Sequence, residues 1–370
     1  MSEVWVNGVG AVTPLGASWP ETCAALAAGR CAIRPIRAFD TSGFPSRHAA
    51  VVEQDFAGED RRIALALRAA REAWRQAVPG PGVVGVFIGA ESGRPGFETF
   101  AALARAGGPG SMESRGFSPS AVAARLAGEF NANGPVATVS LACASGATAI
   151  AEAARAVSLG ECDVALAGGV GADVDPLMMA GFGLLGALSE SGISRPFDRR
   201  RDGFVLGEGA GMVVLSTKKG LARIAGSGRT LDASSLTAPA PDGDGARRAM
   251  RLALAAAHLK SVDVVQAHGT STPLNDAVEA RAIQQLVGNA LVSSIKGALG
   301  HTIAAAGALG FLAAVEAVAT GTVFPTVGLE VPDSDLRHVV GRALVRRIDS
   351  AMINSFAFGG ANCSLVVTRA

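Results

Sequence analysis

Short apolar runs rich in β-branched residues alternate along this chain with longer stretches in which alanine and leucine recur at helical spacing. The short runs predict strands over 4–12, 83–88, 136–140, 163–167, 211–216, 262–267, 290–295, 351–356 and 363–368. The longer ones predict helices over 19–28, 61–77, 118–130, 144–159, 245–258, 276–286 and 304–319. Alternation of this kind from end to end implies an α/β protein in which helices cover a sheet. Three stretches, 34–56, 189–202 and 230–244, read as surface loops, and no low-complexity linker divides the chain.

One unit of this pattern occurs twice. The run 136–140 passes through a turn of small residues into the alanine-rich helix 144–159, and the run 292–295 passes through 296–300 into the alanine-rich helix 304–319. Each turn carries a reactive side chain, Cys143 in the first and Lys296 in the second. Two similar α/β halves facing each other across a site would produce this, with the halves at 1–219 and 220–370.

Composition narrows the picture. Of 370 residues 49% are hydrophobic and 18% charged, and 33 basic side chains against 32 acidic ones leave a net charge of +1. Disorder is excluded, and so is nucleic-acid binding through a large basic surplus. Five widely spaced cysteines without a CxxC pair argue against a disulfide framework or zinc site and for a reducing compartment. The N-terminal residues lack the basic head and apolar core of a signal peptide, so the expected location is the cytoplasm. The apolar stretch 297–315 approaches membrane-spanning length, but it is mostly Ala and Gly and contains His301; it reads as a buried helix with its entry loop, not a membrane span. Forty-seven glycines indicate close backbone packing, and the absence of tyrosine removes any tyrosine acid or base.

Candidate chemistry lies in the turns. Cys143, in Ala-Cys-Ala-Ser-Gly between strand and helix, would stand at a helix N-terminus, where unpaired amides favour thiolate; the alternative is a structural buried cysteine. His268 ends a strand and opens the turn His-Gly-Thr-Ser-Thr-Pro, in which Thr270 and Thr272 offer hydroxyls to a polar ligand chain. Lys296 sits among apolar residues, which requires a partner, and Glu279 on the helix that follows the His268 turn is the candidate; the alternative is a solvated lysine at a loop edge. Near the C-terminus, Phe356-Ala357-Phe358-Gly359-Gly360 reads either as a mobile or strained turn presenting Phe358 or as a β-bulge. Arg199, Arg200 and Arg201 read as a solvated loop, and Gly207 to Gly211 precedes a strand, unlike a phosphate-cradling loop.

With Cys143 in ACASG, His268 in AHGTSTP, Lys296 and His301 in SSIKGALGH, and NSFAFGGAN following in order, the chain resembles the β-ketoacyl-acyl-carrier-protein synthases over nearly its whole length. The resemblance implies a thiolase-like fold, two pseudo-twofold-related α/β halves in layers αβαβα, paired as a homodimer or, in some members, a heterodimer. It implies that Cys143 accepts an acyl chain as a thioester, that His268 and His301 assist decarboxylation of a malonyl thioester, and that Lys296 and Glu279 support them, Lys296 by orienting His301. Phe358 would be a gate, Thr270 and Thr272 contacts to a phosphopantetheine arm, and Ser92, Phe117 and Phe356 lining of the acyl site. The implied partner is an acidic acyl carrier protein, with Arg61, Arg62, Arg68 and Arg71 as the candidate docking patch; the implied cofactor set is empty, and no metal is needed.

The chain departs from the family at Ala357 and Ala361, where Gly and Thr are usual, and at Ser92, where an apolar residue is usual. It is also short, with trimmed loops expected at 189–194 and 220–229. Fatty-acid elongation is the leading expectation. A ketosynthase of polyketide or aryl-polyene synthesis is the alternative, and a noncatalytic chain-length-factor-like subunit, which has no use for the Cys–His–His trio, a further one.

Overall fold

The computed structural model describes residues 2–54, 56, 60–91, 93 and 118–370. The N-terminal half runs β1 (Val4–Val12), α1 (Trp19–Ala27), β2 (Arg34–Pro35), β3 (His48–Ala50), α2 (Arg61–Ala77), β4 (Val84–Ala90), α3 (Ser120–Glu129), β5 (Val136–Val139), α4 (Ser145–Ser158), β6 (Val164–Ala172), α5 (Pro176–Leu184) and β7 (Leu206–Ser216). There follow β8 (Ala222–Leu231), α6 (Asp244–Ala256), β9 (Val264–Gln266), α7 (Pro273–Val287), β10 (Leu291–Ser293), the single turn α8 (Lys296–Leu299), α9 (Ala306–Thr320), β11 (Thr322–Val323), β12 (Arg337–His338), β13 (Leu344–Val345), β14 (Ser350–Phe356) and β15 (Ala361–Arg369). Local chemistry sets several helix starts. Ser18, Asp60, Asp175 and Thr272 cap α1, α2, α5 and α7 with their side chains, and proline occupies the first turn of α1, α5 and α7.

The main strands form one path, β12-β10-β9-β14-β15-β8-β1-β7-β6-β4-β5. It contains the same arrangement twice. In the first half β5, β4 and β6 pair parallel, then β6, β7 and β1 antiparallel. In the second, β10, β9 and β14 pair parallel, then β14, β15 and β8 antiparallel. The halves join where three residues of β1 pair with β8. The duplication extends to single residues: a Cβ at Gly8 or Gly10 of β1 would strike the Ala73 or Ala69 carbonyl of α2, and one at Gly226 or Gly228 of β8 would strike the Ala253 or Ala249 carbonyl of α6.

Three apolar clusters define the layers. Helices α4 and α9 lie side by side in the central one, between the inner faces of both halves. Helices α2 and α3 cover the outer face of the first half, and α6 and α7 that of the second. The five layers are the αβαβα arrangement of the expected fold. The stretch Ile303–Thr320 is apolar and long enough to cross a membrane, yet 83% of it is buried here, as the sequence reading of a core helix requires.

Sequence reading went wrong where glycine weakens the strand pattern. The segment 220–229, expected as a trimmed loop, is most of β8, and Gly207 to Gly211 lies inside β7. These glycines admit neighbouring backbone, the carbonyl of Leu299 at Gly207 among them, at the expense of β-branched side chains. Helix α5 was not expected, because its sequence PLMMAGFGL lacks a polar face. The predicted loop at 34–56 contains the short strands β2 and β3.

Candidate active site

From β5 the chain turns sharply through Ala142, whose φ is +44°, into a single 3-10 turn over Ala142–Ala144 and then α4. Cys143 sits on that turn, 6% exposed at the foot of a cavity of about 340 Å3. Its carbonyl accepts a hydrogen bond from Ser355 Oγ at 2.8 Å, tying the turn to β14. Glycine makes the packing beneath possible: a Cβ on Gly146 would stand 2.8 Å from the Ala304 carbonyl and 3.0 Å from Ala308 Cβ.

The second half brings its histidines to the same point. His268 follows β9 and His301 follows α8, and one donor atom from each lies within 4.8 Å of the others and of Cys143 Sγ. The rings meet edge to face, 5.6 Å between centroids. Ile303 donates its N–H to His301 Nδ1 at 3.1 Å, which assigns the imidazole proton to Nε2. Lys296 Nζ donates to the His268 carbonyl at 2.5 Å and lies 3.4 Å from His268 Nδ1, so that ring too directs Nε2–H into the site. Burial, reinforced by the nearby Lys296 charge, holds both histidines well below their ordinary pKa. They are neutral donors.

Glu279 is wholly buried, and its two oxygens accept the N–H groups of His268 and Gly269, each at 2.8 Å, and Asn354 Nδ2 at 3.1 Å. Burial raises its pKa to about 7 against the pull of those donors. Burial likewise lowers Lys296 to about 8, opposed by the charge of Glu279. Two sequence expectations are corrected here. Lys296 bonds His268, not Glu279, and acts on Glu279 only through space, because Glu279 is already occupied by amides. It likewise does not hold His301, whose Nδ1 is engaged by Ile303 N–H.

Around Cys143 the balance also differs from the expectation of a favoured thiolate. Burial pushes the thiol up to about 12, and the charge of Glu91 adds to this; Lys296 and the N–H groups of Phe358 and Cys143 oppose it. Burial therefore favours the thiol form of the resting sulfur, and those two amides lie near it. Phe358 stands in the hairpin turn between β14 and β15, followed by Gly359 and Gly360 at φ +84° and +82°. The turn is no β-bulge, and its tip is tied to the 232–240 loop by Gly359 N–H to the Leu236 carbonyl at 2.7 Å.

Thr270, Thr272, Phe356 and Phe358 line the cavity with Cys143, His268 and His301, and the two threonine hydroxyls lie 2.9 Å apart. Ser92 and Phe117 lie outside the described residues. Arg61, Arg62, Arg68 and Arg71 do not form a free basic patch: Arg61 pairs with buried Glu208, Arg62 with Asp60 and Arg71 with Glu129, while Arg68 bonds the Ala17 carbonyl. The side chain of Arg201 is 7% exposed and bonds Asp333 and the carbonyls of Thr272 and Pro273, so the triple arginine is not merely solvated.

Three supporting residues escaped sequence reading. Asp276 accepts the amides of Thr270, Ser271 and Phe197, bracing the His268 turn. Asn354 holds Glu279 and Ser355 holds the Cys143 carbonyl. The last two stand in the quoted NSFAFGGAN run, but nothing in a sequence tells which strand face meets the other half. The Cys143, His268 and His301 donor atoms are also close enough to hold a metal; the Lys296 ammonium against His268 opposes a second cation there.

Comparison with known proteins places this geometry. Residues 1–220 match the family model "Beta-ketoacyl synthase, N-terminal domain" and residues 221–330 the model "Beta-ketoacyl synthase, C-terminal domain". The 3-oxoacyl-[acyl-carrier-protein] synthase 2 of Coxiella burnetii is 36% identical over an alignment covering 99% of this chain and 98% of that protein. Among solved structures, the ishigamide ketosynthase/chain length factor matches with TM-score 0.91 at 32% identity, covering 100% of this chain and 99% of that one. A type II polyketide ketosynthase in complex with its acyl-carrier protein, AntDE:AntF, matches with TM-score 0.88 at 26% identity over 100% of this chain and 99% of that one.

Proposed function

The chain belongs to the β-ketoacyl synthase family, and on that premise we propose that it is an acyltransferase of fatty-acid chain elongation, a 3-oxoacyl-[acyl-carrier-protein] synthase. The observation that carries the reading is the meeting of one thiol and two neutral Nε2–H donors at the foot of a single cavity. The full-length similarity to a 3-oxoacyl-[acyl-carrier-protein] synthase 2 supports the substrate class.

In this mechanism an acyl chain arrives as a carrier thioester. Cys143 sulfur attacks the carbonyl, the departing carrier thiol takes up the cysteine proton, and the acyl group stays on Cys143. The amides of Cys143 and Phe358, which lie near the sulfur, are placed to hold the tetrahedral oxyanion, a contribution of about 3 kcal/mol per donor in comparable sites. A malonyl thioester then loses carbon dioxide, and its two bonding electrons become an enolate whose oxygen accepts hydrogen bonds from His268 and His301. The enolate carbon attacks the acyl-Cys143 carbonyl. Collapse forms the 3-oxoacyl carrier and expels the sulfur, which recovers one proton from solvent. Lys296 and Glu279 hold the His268 turn, and Thr270 and Thr272 offer hydroxyls to the pantetheine arm at the mouth.

The partner in this reading is an acyl carrier protein and the assembly a homodimer. Among the described residues strand β5 ends the sheet path, with Val136 48% exposed, and an apolar edge of this kind favours pairing with another chain. The functional halves are 1–219, carrying the thiol, and 220–370, carrying both histidines, and the expected compartment is the cytoplasm. A second reading, a polyketide ketosynthase paired with a chain-length factor, is favoured by the likeness to the ishigamide ketosynthase/chain length factor. Incubation with acyl carriers and malonyl carrier tests the proposal: 3-oxoacyl carrier and carbon dioxide in equal amounts are expected from saturated acyl chains. Condensation only of unsaturated or aryl chains, or only with a second subunit present, would favour the polyketide reading.

A further inference from the structure

The turn that carries Cys143 occurs twice in this chain, and its two copies meet one requirement differently. Each places a non-glycine residue in the left-handed region, Ala142 at φ +44° and Ile303 at φ +45°, at the start of a 3-10 turn that leads into α4 or α9. The amide of that residue has no helical partner and needs an acceptor. In the second copy the residue two positions earlier supplies it: His301 Nδ1 accepts the Ile303 N–H at 3.1 Å. In the first copy the residue two positions earlier is Ser140, whose hydroxyl instead donates to Glu91 Oε2 at 2.8 Å. Glu91 Oε1 accepts the Ala142 N–H at 2.9 Å and lies 3.1 Å from Ser145 Oγ. One carboxylate thus grips the turn at 140, 142 and 145, on both sides of Cys143. It is held in place itself, by β4, which ends one residue earlier, and by Arg62 Nη1 on the Glu91 carbonyl at 2.8 Å.

We infer that Glu91 is a positioning residue for Cys143: its carboxylate locks the left-handed turn so that the sulfur and the amides of Cys143 and Phe358 face one reacting carbonyl, and it sets a negative charge beside the sulfur. The inference rests on reading Cys143 as the acyl acceptor. Its charge opposes thiolate formation, so its presence trades ease of ionisation for geometry. Glu91→Gln keeps an oxygen for the Ala142 amide and removes the charge. Glu91→Ala removes both.

The test is iodoacetamide alkylation of Cys143, followed by peptide mass spectrometry as pH is raised, beside acyl transfer from an acyl carrier protein. Glu91→Gln is expected to alkylate about threefold or more faster than the wild type at mildly alkaline pH, through its larger thiolate fraction. Glu91→Ala is expected to lose about tenfold or more in acyl loading, through misplacement of the sulfur. Alkylation of the folded Glu91→Gln protein at or below the wild-type rate would overturn the inference, and so would wild-type loading by Glu91→Ala. Should Glu91→Ala fail to fold, the Glu91→Gln comparison decides alone. A wild-type protein that is never acylated, while Glu91→Gln still alkylates faster, would defeat the proposed function and leave the role of Glu91 standing.

Discussion

Burial works against charge at both Lys296 and Glu279, and the two responses leave a narrow working range. Glu279 is raised to about 7 and Lys296 lowered to about 8. Below the first value Glu279 gains a proton and one oxygen ceases to be a full acceptor for the His268 and Gly269 amides; above the second Lys296 loses the charge it directs at His268. Malonyl-carrier decarboxylation should therefore rise with pH through about 7 and fall through about 8, and a steady-state pH profile checks it. Glu279→Gln places an amide NH2 against one of those N–H donors, which costs about 1–3 kcal/mol and is read as a lower urea midpoint. Cys143→Ala should abolish acyl loading and condensation, and Cys143→Gln should retain malonyl decarboxylation, measured as carbon dioxide release. At this scale the sequence was legible in identity but not in connection. Cys143, His268, Lys296 and His301 stand out by motif, whereas the partner of Lys296, the hold of Asp276 on Phe197 and the work of Glu91 and Ser355 depend on contacts between segments distant in the chain.

Elements whose apolar period is strong, such as α2 and α6, fall close to their sequence-predicted bounds. Strand β8 was missed because Gly226 and Gly228 replace the side chains that would have announced it, and the reason for those glycines, the approach of α6, is a tertiary one. Gly146 makes the same point as a prediction. By helix propensity alone, Gly146→Ala should stabilise α4 by about 1 kcal/mol. The added Cβ would stand 2.8 Å from the Ala304 carbonyl and 3.0 Å from Ala308 Cβ, on the first turn of the facing helix, and neither can swing aside. Overpacking of this kind costs about 1–3 kcal/mol, so the variant should melt below the wild type by calorimetry.

The duplicated sheet places one reactive turn from each half against the other, and only the first copy bears a thiol: Cys143 corresponds to Ala304. In the proposed mechanism the work is divided between halves, with acyl transfer on the first and enolate stabilisation on the second. Near-zero net charge carries no bar to an acidic carrier, but Arg61, Arg62 and Arg71 are engaged within the fold. The exposed apolar edge at β5 predicts association, so light scattering should find a mass twice that of the 37.1 kDa chain; a monomer that doubles only with a second, different subunit would point to the heterodimer. The most direct test of the whole account is intact-mass measurement after incubation with a panel of acyl carriers. The account predicts a mass increase of one acyl group, localised to Cys143, from saturated aliphatic carriers and absent in Cys143→Ala. No acylation of Cys143 by any carrier, with or without a partner subunit, would contradict it.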